Sequence, residues 1–244
     1  MNINIDYPAG KAGLIQVVDG LLSADFCHKF LSRMHEIWSY SFPGVTLGGV
    51  SPKTKLSTDL HYSSANFNEH QREWTITDVA LDKEIWDALS SAIAIYKQKY
   101  NHLDHWVNVV DSGYQVQKYD KSRGYYRHHV DCFPMHQSTV SDRVLAVVIY
   151  LADVEIGGET NFPIHEIAVT PKAGRIVLFP ATWTHLHESC VPISGDKWII
   201  SSFINNGSEP PEPLHDHLHD EHGNHIEDYP PLILGQTEVT DGES

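Results

Sequence analysis

Two histidines, an aspartate and a lysine offer the most chemistry in this sequence: His129-Val130-Asp131, then His187, then Lys197. Two imidazoles and one carboxylate can occupy one face of an octahedral metal ion and leave three positions open. That is the donor set of non-haem Fe(II) sites that activate oxygen. A basic side chain ten residues beyond the second histidine is spaced to hold the far carboxylate of an organic acid chelating the same metal.

The H-x-D tripeptide alone carries little weight. With 17 His and 18 Asp in 244 residues, chance gives about 1.3 such tripeptides, and the chain has two. The second, His102-Leu103-Asp104, is followed by His165 and, ten residues later, by Arg175. Local context favours the first set. Tyr125 to Phe133 reads as a strand, so His129 and Asp131 fall on one face at period two and His128 on the other. His102 and Asp104 lie in the polar stretch NHLDHW after a predicted helix, where a loop or cap is the plainer reading. The distal histidine is ambiguous at this level, because His185 and His187 would share one strand face.

The elements that must position these residues can be read from periodicity. Leu14 to Val18 reads as a strand closed by an Asp19-Gly20 turn. Ser23 can cap a helix to about Trp38, with Phe26, Phe30, Met34, Ile37 and Trp38 on one stripe. Ser41 to Ser57 is too polar and too interrupted for a regular element. A second helix spans about Leu81 to Lys99, with Ile85, Trp86, Leu89, Ile93 and Tyr96 at helical spacing. From Trp106 onward, short β-like runs follow one another between turns. Helices first and then many short strands predict an α+β, mainly β fold: a double-stranded β-helix (jelly-roll) core with N-terminal helices packed on one face. The expected organisation is one domain over 1–206, with a helical part (1–105), a jelly-roll core (106–206) and an acidic, His-rich tail (207–244).

YYRHHVD, GGETNFP, GRIVLFP and HESCVPISGDKW occur in that order. Together they resemble the prolyl 4-hydroxylase branch of the Fe(II)/2-oxoglutarate oxygenases. That family's pattern runs Y-x-x-H-x-D, G-G-E-T-x-F-P, G-x-x-x-x-F and H-x-x-x-x-P-x-x-G-x-K. The resemblance covers about residues 113–205, and GYYRHHVD also looks like the corresponding strand of the hypoxia-factor prolyl hydroxylases. It implies Fe(II) on His129, Asp131 and His187, since only His187 fits the frame with Pro192, Gly195 and Lys197. It also implies 2-oxoglutarate anchored by Lys197, O2 as co-oxidant, and leaves ascorbate open as a reductant. Tyr126 and Tyr150 match tyrosines whose hydroxyls face the cosubstrate, although core aromatics on strands are an equal reading of each. Thr160 is a weaker pocket candidate, and Gly157 and Gly158 read as turn residues. An aspartate at position 131 favours hydroxylation over halogenation. The implied reaction is hydroxylation of a prolyl residue in a peptide or protein, with 2-oxoglutarate decarboxylated to succinate. Another residue, a small molecule, or a silent metal-binding jelly-roll acting as an interaction module remain open. Ser41 to Ser57 and Pro134 to Ser141 are candidate lids over an extended peptide.

Composition narrows the partners. Lys plus Arg is 17 against 32 acids, a net charge of −15. Residues 205–244 hold ten of those acids and no Lys or Arg. Such a chain is not expected to use a nucleic-acid backbone or an anionic membrane as its main partner. No apolar run approaches a membrane span, and no charged-then-apolar signal segment stands at MNINIDYPAGKAG. Three cysteines are too few for a disulfide framework, so a reducing compartment, the cytoplasm, is expected. The tail HDHLHDEHGNH could bind Zn, Cu or Ni, but its acid and proline content reads first as solvated chain. The oligomeric state is not legible.

Overall fold

The computed structural model describes residues 3–10, 13–46, 48–64, 67, 73–101, 109–111, 113–132 and 142–206. The chain opens with β1 (Asn4–Asp6) and β2 (Gln16–Asp19), followed by helix α1 (Ala24–Ile37). Five short strands come next: β3 (Phe42–Pro43), β4 (Val45–Thr46), β5 (Gly49–Val50), β6 (Lys55–Leu56) and β7 (Thr58–Tyr62). Helix α2 (Ile76–Lys99) separates these from β8 (Val109–Asp111), β9 (Tyr114–Tyr119), β10 (Tyr125–His129) and β11 (Arg143–Tyr150). Last come β12 (Thr160–Phe162), β13 (Ile167–Val169), β14 (Ile176–Pro180), a 3-10 turn (Trp183–His185), β15 (His187–Ser189) and β16 (Lys197–Asn206).

The strands form a nine-stranded sheet in the order β1-β2-β14-β11-β16-β9-β7-β3, with β8 also on β16. A five-stranded sheet runs β13-β12-β15-β10-β6, and β4 and β5 make a separate hairpin. Side chains alternate across a strand, and β11 uses both faces. Leu145, Val147 and Ile149 join a core with Ile176, Leu178, Ile200 and the helix residues Phe26, Phe30, Ile85 and Leu89. Ala146, Val148 and Tyr150 join a second core with Val177, Phe179, Ile199 and Phe162. Phe162 belongs to the smaller sheet, so the second core lies between the two sheets. Each fully buried Leu, Ile or Phe contributes about 1.5–3 kcal/mol relative to exposure.

Local signals account for both helices. The Ser23 side chain accepts from the Phe26 N–H at 3.0 Å and caps α1. Thr75 and Asp78 form a reciprocal capping box that starts α2 five residues before the predicted Leu81. The prediction missed this turn because its apolar stripe begins only at Leu81. Asp78 is also a hub. It is fully buried, takes two hydrogen bonds from Arg33 of α1 (2.9 and 2.8 Å) and one from the Tyr62 hydroxyl of β7 (3.0 Å). One carboxylate thus ties both helices to the large sheet.

Two further expectations are corrected. Ser41–Ser57 does carry regular structure: β3, β4, β5 and β6 fall within it. These strands are only two residues long, too short to leave a hydrophobic period. The part expected to be helical (1–105) also supplies strands beyond the expected one near Leu14–Val18, since β1, β3 and β7 join β2 in the large sheet. The β7 sequence TDLHY hides its strand character because Asp59 is buried against Lys55 (Nζ–Oδ2 2.7 Å). No described helix is long and apolar enough to cross a membrane.

Replacing Asp78 with Ala strands the Arg33 guanidinium and the Tyr62 hydroxyl without their acceptor. We expect a loss of about 3–5 kcal/mol, read as a lower urea midpoint with an unchanged slope. A loss below about 1 kcal/mol would mean that the helices do not depend on this carboxylate.

Candidate metal centre

Antiparallel pairing of β10 with β15 places His129 opposite His187, and Tyr126 opposite Ser189, with a bulge between the two pairs. The two imidazole centroids are 4.2 Å apart. His129 Nδ1 faces the Arg127 carbonyl at 2.8 Å, and His187 Nδ1 faces the His185 carbonyl at 3.0 Å. A carbonyl can only accept, so each Nδ1 is the protonated nitrogen and each Nε2 keeps its lone pair. Those lone pairs converge on Asp131, with His129 Nε2 3.6 Å from Oδ1 and His187 Nε2 3.4 Å from Oδ2.

Asp131 does not share the strand, contrary to the sequence reading. β10 ends at His129, and Asp131 sits in a bend beyond it. The Ala181 carbonyl fixes the bend by accepting from both the Asp131 N–H (3.1 Å) and the Cys132 N–H (2.9 Å). Arg143 donates to the Asp131 carbonyl at 3.1 Å. The carboxylate therefore comes back to the imidazoles through the backbone rather than by strand alternation.

Aromatic rings hold the imidazoles. Tyr126 stacks on His129 with centroids 3.5 Å apart and planes 16° apart. Phe179 packs edge-on against His187 at 4.8 Å. Burial, and then the neighbouring His187, push the His129 imidazole down to about 3, against the pull of Asp131. Burial and the Asp131 and Asp59 carboxylates push the Tyr126 hydroxyl up to about 12.

The three donors open into a cleft of about 400 Å³. Lys197 lies on its wall, fully buried on the inner face of β16 and paired in register with Tyr119. Its Nζ donates to Ser189 Oγ at 2.8 Å and lies over the rings of Tyr119 (5.4 Å) and Tyr150 (5.5 Å). Among the described residues no carboxylate reaches it within ion-pair distance. Burial pushes the ammonium down to about 7, opposed by Cys190 and Glu159. Thr160 lines the cleft, and its hydroxyl is 2.6 Å from that of Tyr150. Tyr150 also reaches the Val169 carbonyl at 3.3 Å, so its contact with the cleft runs through Thr160.

The other sequence candidates separate. His185 is not on a strand with His187: it ends the 3-10 turn, where its Nε2 meets the Gly13 carbonyl at 2.8 Å. His128 faces away from the cleft, 3.1 Å from Glu188. His102 and Asp104 lie outside the described residues, as does Pro134–Ser141. Their would-be partners are engaged elsewhere. Arg175 makes a two-point contact with Asp19 (2.8 and 2.9 Å), and His165 stacks on His185. Gly157 and Gly158 both hold φ near +75°, and a Cβ on Gly157 would meet the Val191 carbonyl at 2.3 Å.

The sequence reading missed a polar wall. Tyr119 donates to Gln117 (2.6 Å), Gln117 to Gln115 (3.0 Å), and Gln115 to Asp59 (3.3 Å), which also holds Lys55. These inward residues of β9 line the cleft. The alternation in YQVQKY was the available signal, read as strand without asking which face was inside.

Residues 114–205 match the profile of the 2OG-Fe(II) oxygenase superfamily. The chain is 32% identical over 116 residues to prolyl 4-hydroxylase 13 of Arabidopsis thaliana, covering 37% of this chain and 40% of that protein. It is 30% identical over 185 residues to probable prolyl 4-hydroxylase 10 of the same plant, covering 64% and 58%. The chain thus spans less than two thirds of the length of these curated relatives. Among solved structures, it is similar to a Trichoplax adhaerens prolyl hydroxylase in complex with a hypoxia inducible factor peptide fragment. That likeness has a TM-score of 0.59 at 15% identity, over 80% of this chain and 84% of that one. A viral collagen prolyl hydroxylase from Paramecium bursaria chlorella virus-1 gives 0.53 at 20% identity, over 80% and 97%. At such identities the likeness is one of fold.

A lysine held near pH 7 in the native state and at about 10.5 when unfolded binds its proton more weakly once folded. Between those values folding releases a proton, so stability rises with pH by up to about 1.4 kcal/mol per unit. Lys197→Met should stabilise the ligand-free protein at pH 7 and flatten this rise. Equal pH slopes for both proteins in urea titrations would show that the native ammonium is not perturbed by burial.

Proposed function

We propose that the chain, whose residues 114–205 match the 2OG-Fe(II) oxygenase superfamily, is an Fe(II)- and 2-oxoglutarate-dependent dioxygenase that hydroxylates a prolyl residue in a peptide or protein. The observation that carries this reading is the convergence of three acceptors, His129 Nε2, His187 Nε2 and an Asp131 oxygen, within 4.8 Å of one another. Three acceptors facing one point repel each other unless a cation lies among them. A metal at about 2.1 Å from three cis donors holds them about 3 Å apart, close to the 3.4 and 3.6 Å separations here. Bound Fe(II) with 2-oxoglutarate would supply oxygen activation coupled to decarboxylation to succinate.

The protein's own part is binding, orientation and exclusion of water. His129, Asp131 and His187 hold the metal, and the Arg127 and His185 carbonyls keep both imidazoles in the ligating tautomer. Lys197, buried without a carboxylate, is matched to the distal carboxylate of a dicarboxylic acid, with Ser189 and Thr160 beside it. Tyr119 and Tyr150 pack around that ammonium, and Tyr150 positions Thr160. Tyr126 acts on the metal side, stacked on His129. Ala146, Val148, Ile199 and Phe203 form an apolar wall that limits water. The hairpin residues Val45, Thr46 and Gly48 edge the cleft where an extended chain would enter. The prolyl assignment draws support from the prolyl hydroxylase names of the relatives and structural neighbours. Cys27, Cys132 and Cys190 are free thiols.

Lys197→Met should raise the apparent 2-oxoglutarate constant about 30-fold to several-thousand-fold, the effect of losing one charge-assisted contact in a shielded pocket. Arg175→Ala, which breaks contacts with Asp19 and Thr170 away from the cleft, should leave that constant near its original value. The reverse pattern would move the cosubstrate site to the His102, Asp104 and His165 set. The substrate reading is tested by anaerobic loading with Fe(II) and 2-oxoglutarate, then oxygen exposure with proline-containing peptides and mass detection. One added oxygen on a prolyl residue is expected. Oxygen added only to lysine, asparagine or a metabolite would refute the prolyl assignment, and no succinate release would leave a silent metal-binding module.

A further inference from the structure

The chain carries a net charge of −15, and many of its surface cations are paired. Lys29 meets Asp25, Lys83 meets Asp87, Lys118 meets Asp120 and Asp196, and Lys172 and Arg175 meet Asp19. Along β10, beside the metal centre, the pattern changes. Lys53, Arg123 and Arg127 are exposed, and among the described residues no carboxylate lies within ion-pair distance of any of them.

Arg127 lies on β10, and Lys53 and Arg123 lie in the turns that lead into β6 and β10, at the β6 end of the smaller sheet. Arg127 stands two residues before His129, and its N–H donates to the Thr54 carbonyl at 2.9 Å, which sets Lys53 alongside. The Arg127 guanidinium lies over the Tyr125 ring (4.7 Å), and the Tyr125 hydroxyl donates to the Pro52 carbonyl (2.8 Å). Arg123 closes the turn into β10 and borders a shallow depression with Leu56, Ser57 and Thr58. The nearest acids are already committed: Asp120 and Asp196 to Lys118, Glu188 to Asn161 and His128, and Asp59 to Lys55. The strip reaches the cleft at Thr54, and Arg143, on the far wall, likewise has no carboxylate partner among the described residues.

We propose that this strip docks an acidic segment of a peptide or protein substrate, so that carboxylates flank the residue presented to the metal centre. The proposal rests on the oxygenase reading of that centre. An extended chain advances about 3.3 Å per residue. Arg127, two residues before His129 on β10, therefore meets an acid about two residues from the reacting position, and Arg123, in the turn that opens the strand, meets one farther along. A nucleic acid fits less well. Its charge recurs at every residue and would run against Asp120, Asp196 and Glu188 on either side of the strip, whereas spaced carboxylates can match spaced cations.

The test uses the full chain under anaerobic Fe(II) and 2-oxoglutarate. Three labelled proline-centred peptides, identical except for Asp/Glu, Asn/Gln or Lys flanks, are compared by fluorescence anisotropy. The acid-flanked peptide should bind about 10- to 100-fold more tightly than the amide-flanked one, since three exposed charge pairs contribute modestly each. That advantage should shrink as salt approaches about 1 M, where the screening length is about 3 Å. A chain with K53E, R123E and R127E should prefer the Lys-flanked peptide. Equal binding of acid- and amide-flanked peptides by the natural chain at low salt would overturn the proposal. So would an acid preference that survives in a variant of unchanged melting temperature. Salt-dependent displacement of the acidic peptide by an oligonucleotide at equal charge would also overturn it and assign the strip to nucleic acid. If the triple variant folds poorly, the salt series on the natural chain decides. Succinate release measured without peptide keeps the two readings apart. Lost preference with turnover intact removes only the docking surface, and absent turnover with preference intact removes only the oxygenase.

Discussion

The cross-strand pairing of His129 with His187 is the constraint on which the rest of the site depends. Register alone sets the two imidazoles side by side, and a slip of one residue would turn one of them to the outer face. Two backbone carbonyls then set the tautomers, so that both rings offer lone pairs to one point. The third donor arrives by another route, through a bend fixed by the Ala181 carbonyl. Ala181 follows β14, a strand of the large sheet, so the centre exists only when the two sheets are packed together.

The large sheet makes that packing possible because its central strands are apolar on both faces. β11 and β14 divide their side chains between a helix-side core and a core between the sheets. β16 does the same with Trp198 and Ile200 on one side and Ile199 on the other, and the alternation carries Lys197 inward. A lone ammonium in that interior costs stability, which only an anion in the cleft would restore. The fold gives up stability at Lys197 to keep a binding position, while Asp78 secures the opposite side of the large sheet with a fully satisfied carboxylate.

Much of this was legible from local signals. Ser23 and the 3.6-residue stripe after it placed α1, and the ordered motifs singled out His129, Asp131, His187 and Lys197, which the fold gathers from both sheets around one cleft. Other features were hidden for physical reasons. Asp131 looked like a strand residue because HHVD alternates, yet the strand ends at His129 and a carbonyl from a distant segment sets its position. The 3-10 turn holding His185 was read as strand because THLH has no period long enough to tell the two apart. Gln115, Gln117 and Tyr119 looked like ordinary strand polarity until the sheets closed over them. Asp59 and Asp78 carry no local mark of burial, since an i,i+4 lysine outside a helix does not imply contact and Arg33 lies on another element. Pairings between segments far apart in the chain are what local patterns cannot express.

The central claim is that His129, Asp131 and His187 hold one divalent iron. Anomalous diffraction at the iron edge, from crystals grown anaerobically with Fe(II), tests it most directly. The account predicts a single strong peak about 2.0–2.2 Å from His129 Nε2, His187 Nε2 and one Asp131 oxygen. A peak elsewhere, or none at these residues in fully loaded crystals, would contradict it.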